Sequence, residues 1–75
     1  MPNDLGRLIT AARERAGYRT VYSLAKAAGV KPNKLSGWEK GEHEPSVSGL
    51  EAVFEAAGWE VIVTFAPRNK GPEGE

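Results

Sequence analysis

The side chains best suited to chemistry lie between Thr20 and Gly41. Lys31, Asn33, Lys34 and Ser36 bring amine, carboxamide and hydroxyl groups together on one short run. These groups donate and accept hydrogen bonds, and none pairs a nucleophile with a base. The chemistry they suit is recognition of a polar surface, nucleic-acid base edges and phosphates above all. The rest of the chain offers little else. There is no Cys and only His43 among the imidazoles, which leaves disulfides, Cys-based zinc and metal catalysis with almost nothing to build on. A lone His in a loop is usually solvated. With no Gly-rich phosphate loop either, the sequence predicts no enzyme, no metal and no cofactor.

Two short helices must hold those groups. Thr20 is a good N-cap for the first, which runs to about Ala28 with Val21, Leu24, Ala25 and Ala28 on its apolar side. Gly29 is placed to take the left-handed conformation that turns the chain, and Val30 packs under the turn. The second helix runs from Pro32, where a missing N–H costs nothing, to about Lys40. Leu35 and Trp38 face inward, and Lys31, Asn33, Lys34, Ser36 and Gly37 face outward. Gly37 inside a helix costs about 0.5–1 kcal/mol relative to Ala, and an exposed helical glycine suggests close approach to something, with simple tolerance as the alternative.

Support lies on both sides. Asp4 caps a helix to about Ala16, with Leu5, Leu8, Ile9, Ala12 and Ala16 as its apolar face, and Gly17 stops it. After a polar loop from Gly41 to Pro45, Ser46 or Ser48 caps a fourth helix, with Ser48 and Glu51 spaced for a capping box. Val47, Leu50, Val53, Phe54 and Ala57 form its buried face, and Gly58 ends it. The period then changes to two. Trp59, Val61, Val63 and Phe65 alternate with Glu60, Ile62 and Thr64, which predicts a strand closed by Pro67. No other segment reads as a strand, so its expected partner is the same strand of a second copy, paired antiparallel about a two-fold axis. A strand of a different protein, or a tail lying on the helices, are the alternatives. The expected organisation is a helical domain over residues 1–58, a dimerisation strand over 59–67 and a disordered tail over 68–75.

The totals agree with one small domain. A 75-residue chain buries only about 60–65% of its unfolded surface and often gains stability by pairing. Charges at Asp4, Arg7, Arg13, Glu14 and Arg15 interrupt the N-terminus, which argues against a signal peptide or membrane span and predicts a cytoplasmic chain. The net charge of zero hides an asymmetry. Residues 1–40 carry eight Lys or Arg against three acids, a net of +5, and residues 41–75 carry two against seven, a net of −5. The basic half holds the helix pair.

Leu24-Ala25, Gly29-Val30, Leu35, Trp38-Glu39-x-Gly41 and Pro45-Ser46 together resemble the Cro and lambda-repressor-like (xenobiotic-response-element) helix-turn-helix family. The resemblance covers residues 5 to about 58. It implies a mainly α fold, a compact four-helix helix-turn-helix domain followed here by the single C-terminal β-strand. It implies an ion pair between Arg13 and Glu39, tying the first helix to the third; the alternative is two solvated charges. It places the base-reading residues at Lys31, Pro32, Asn33 and Gly37, with Ser36 nearby. Asn33 suits adenine and Lys31 suits guanine, whereas Pro32 and Gly37 depart from the pattern in offering no side-chain donor. Lys34, Lys40 and His43 are expected at phosphates. A Gln usual at the start of helix two is replaced by Val21, and the connector before it is one residue longer; Arg19, Thr20, Tyr22 and Ser23 are the candidates to grip the backbone instead.

Two functions follow from the resemblance. The first is a transcriptional repressor that binds double-stranded DNA as a homodimer through Trp59, Val61, Ile62, Val63 and Phe65. The second is an antitoxin that binds its own operator and also holds a toxin protein, a reading favoured by the acidic second half. A helix-turn-helix scaffold without DNA binding is the bland alternative.

Overall fold

The computed structural model describes residues 4–68. Among them are four α-helices: α1 (Asp4–Arg15), α2 (Val21–Ala28), α3 (Pro32–Lys40) and α4 (Val47–Ala56). α1 packs on α3, α2 packs on both α3 and α4, and α1 touches α4 more slightly.

Local chemistry fixes where each helix begins and ends. Thr20 caps α2 through its side-chain oxygen, which accepts from Ser23 N–H at 3.1 Å. Ser46 does the same for α4, accepting from Gly49 N–H at 3.0 Å. Each cap contributes about 1 kcal/mol. At the other end of α2, Gly29 takes φ 75°, and Val30 N–H reaches back to Ala25 O at 3.0 Å. That six-residue closure satisfies a carbonyl that the helix leaves orphaned. The same closure recurs after α1, α3 and α4, where Tyr18, Glu42 and Trp59 N–H groups reach Arg13, Gly37 and Phe54 carbonyls. After α4 an edge-on contact between Trp59 and Phe54, 5.4 Å between ring centroids, completes the motif.

Ile9, Ala12, Leu24, Ala25, Leu35, Trp38, Val53 and Phe54 form the core, with contributions from all four helices. Ile9, Leu24, Leu35 and Val53 are closed to solvent, each removal from water favouring the fold by about 1.5–3 kcal/mol. Gly49 lets Trp38 approach α4 closely: a Cβ there would stand 2.6 Å from Trp38 Cη2.

The structure corrects several sequence expectations. Leu5, Leu8 and Val47 are 40%, 45% and 53% exposed, and Ala16 is exposed too. Leu5, Leu8 and Val47 are not scattered; they line one open apolar depression with Leu50, Trp59 and residues 60–64. α4 is capped by Ser46, whose backbone precedes the first helical turn, and Ser48 lies inside the helix, too late to cap it. Residues 59–65 take no strand within this single chain, which leaves the expected pairing with a second copy untouched. A strand exists only as a ladder to a neighbour, and no described segment of this chain offers one an edge. The expected tail beyond Arg68 lies outside the described residues.

Candidate nucleic-acid interface

The α2–α3 pair presents one polar surface. Lys31, at the α3 N-cap, makes no side-chain cap bond, and Pro32 occupies the first turn. Lys31, Pro32, Asn33 and Lys34 are all exposed, and Ser36 is half-buried. Leu35 and Trp38 hold the opposite side of α3 in the core. The polar N-terminal turn of α3 is therefore free to enter a groove while its apolar side is anchored.

Gly37 is the exception, and corrects an expectation. It is buried, not outward-facing and open. The approach that its missing side chain permits is made within the chain: an ideal Cβ would stand 2.7 Å from His43 Cδ2. The His43 ring thus covers Gly37, and His43 N–H points at Gly37 O at 3.4 Å. With Asn33, Lys34 and Glu44, His43 lines a shallow depression beside α3.

Around the α2 N-terminus, Arg19, Thr20 and Tyr22 are exposed and Ser23 is half-buried. Both hydroxyls already donate within the chain, Thr20 Oγ1 to Ser23 Oγ at 3.1 Å and Ser23 Oγ to Thr20 O at 2.8 Å. Free donors at this end are the Val21 and Tyr22 backbone N–H groups, which have no helical partner by position, and they carry the positive end of the helix dipole. Lys26 Nζ lies 5.8 Å from the Tyr22 ring centroid, within reach of its face. Its position four residues after Tyr22 was the signal for this contact, and it adds a cation the sequence reading did not assign to the surface. Lys40 is exposed at the far end of α3.

Arg13 and Glu39 meet as the resemblance implied. Arg13 Nε donates to Glu39 Oε2 at 2.9 Å and Nη2 to Oε1 at 3.3 Å, with the side chains only 10% and 9% exposed. Two further groups join them. Thr10 Oγ1 donates to Glu39 Oε1 at 2.8 Å, and Arg13 Nη1 donates to Tyr18 O at 3.0 Å. Thr10 stands three residues before Arg13, so one helical face carries both. Tyr18 also donates its hydroxyl to Ala56 O at 3.2 Å, which links the connector to the end of α4. These bonds fix α3 against the body from behind.

A family model described as a helix-turn-helix domain matches residues 4–60. The chain belongs to the helix-turn-helix family, consistent with its Cro and lambda-repressor-like motifs. Comparison with curated proteins and with solved structures finds no match. No described helix is long and apolar enough to cross a membrane.

Proposed function

We propose that this protein is a sequence-specific transcriptional regulator, a dimeric repressor that sets α3 in the DNA major groove. The observation that carries the reading is the division of α3 between a buried Leu35–Trp38 side and an exposed polar first turn, delivered by the Gly29 turn from α2. Lys31, Pro32 and Asn33 meet base edges, with Ser36 at the margin. Arg19, Tyr22, Lys34 and Lys40 face phosphates with the α2 N-terminus. Thr20 and Ser23 act first as the cap that orients those N–H groups. Such a protein works in the compartment that holds the DNA, the cytoplasm of a bacterial cell.

Dimerisation is supported by the open apolar depression and by Ile62 and Phe65, which are 74% and 91% exposed. Paired antiparallel across a two-fold axis, residues 59–65 cover that surface and give their backbone a ladder. Two α3 helices about 34 Å apart then read the halves of a palindrome.

Selection of binding sites from a random duplex pool tests the reading. Enrichment of a two-fold-symmetric site, with affinity falling steeply as salt rises, is expected; no enrichment overturns it. Sedimentation equilibrium tests the dimer, with Val63→Pro as the variant because proline removes a ladder N–H. A dimer that Val63→Pro dissociates is expected. A monomeric wild type moves the reading to the antitoxin, whose acidic second half suits a basic partner protein.

A further inference from the structure

We infer that His43 reads a base edge from the place of the side chain that Gly37 lacks. The inference rests on the DNA-binding reading above and adds a residue from outside the recognition helix to its base-reading set.

Residues 33 and 37 are one turn apart and share a face of α3. On that face Asn33 supplies a carboxamide, and position 37 supplies no side chain. The gap is filled. His43 Cδ2, Cγ and Nε2 lie 2.7, 3.6 and 3.7 Å from where a Gly37 Cβ would be. Nε2 thus lies about as far from that Cβ position as the tip of an extended glutamine side chain would. The His43 backbone is held beside Gly37, since Glu42 N–H donates to Gly37 O at 2.9 Å and His43 N–H points at the same oxygen. His43 nevertheless stays exposed, and it shares a depression with Asn33.

The flanking residues decide between base and phosphate. Glu42 and Glu44 stand on either side of His43 and are exposed, so a phosphate approaching this loop meets two carboxylates. A base edge can offset them where it presents a donor, since a carboxylate accepts from the cytosine or adenine amine. A neutral imidazole offers one N–H and one acceptor. Its N–H suits the N7 acceptor that both purines present in the major groove. One turn of helix rises about 5.4 Å, so this purine lies within about two base-pair steps of the base read by Asn33.

The test uses the full chain and the site that the wild type enriches from a random pool. Wild type, His43→Ala and Gly37→Ala are each titrated with every single-base-pair variant of that site. Wild type is expected to prefer a purine at one position per half-site. His43→Ala is expected to lose that preference by about three- to tenfold and to keep its preferences elsewhere. Gly37→Ala, which keeps the imidazole and pushes it off the helix, should lose the same preference; if it fails to fold, His43→Ala decides alone. Uniform weakening of His43→Ala across all variants, with the log–log salt slope reduced by about one, marks a phosphate contact and overturns the inference. Unchanged binding by His43→Ala overturns it too. A wild type that enriches no sequence overturns the regulator reading itself, and this inference with it.

Discussion

The two flanks of α1 make opposite bargains with solvent. On one flank Thr10 and Arg13 close onto Glu39, and every bond of that seam comes from this chain. On the other, Leu5 and Leu8 border an apolar depression that the chain leaves open. The difference follows from what each kind of group tolerates. A charge taken out of water must find its partner within the fold, because an unpaired buried charge costs several kcal/mol. Apolar surface can stay exposed at a cost graded by area, about 25 cal/mol per Å². The first seam is complete in one protomer. The second stays open among the described residues, which is the physical ground for the dimer proposed above.

The comparison breaks most readily at Arg13. Arg13→Ala takes the cation from the largely buried Glu39 carboxylate and is expected to destabilise by about 3 kcal/mol or more, read by urea unfolding. A loss below about 1 kcal/mol would reduce the seam to a surface pair. Gly49→Ala comes next, at about 1–3 kcal/mol, because its methyl meets Trp38 and neither can withdraw freely. Thermal unfolding that matched wild type would show that α3 and α4 are packed more loosely than described. Thr20→Ala removes the α2 cap and should cost about 1 kcal/mol, with affinity for DNA reduced as the first turn frays. Leu8→Ser is the mildest in dilute solution, below about 1 kcal/mol. Its cost is expected to grow with protein concentration, since a dimer's stability is linked to association. A cost independent of concentration would remove the open flank from any interface.

Much of this was legible in the sequence, for reasons that differ by residue. Caps and stops are written within a few positions of where they act, so Thr20, Gly29, Pro32 and Gly58 were read correctly. The Arg13–Glu39 pair spans 26 positions and was reached only through the family resemblance. Periodicity found apolar faces but not which neighbour covers them. Leu5, Leu8 and Val47 follow the pattern of core residues, yet no element among the described residues covers them. Gly37 was misread for a related reason. A missing side chain states only that something approaches, and no periodicity indicates a loop residue six positions on. The bonds from Thr10 and Tyr18 depend on side-chain direction, which spacing alone does not give.

The recurrent helix closures bear on how the chain folds. Each helix is stopped by a six-residue backbone closure, together with a left-handed glycine. The ends of all four rods are therefore set by neighbours in sequence, with no distant contact needed to specify them. What remains is a search over docking angles of short, pre-terminated cylinders, not over their lengths or registers. Helical domains dominated by such local contacts fold in roughly microseconds to milliseconds. The most extensive long-range contact left to form is that of α1 on α3, so slower refolding of Thr10→Ala or Arg13→Ala is the expected outcome in stopped-flow measurements. Unchanged refolding and faster unfolding would place this contact after the barrier.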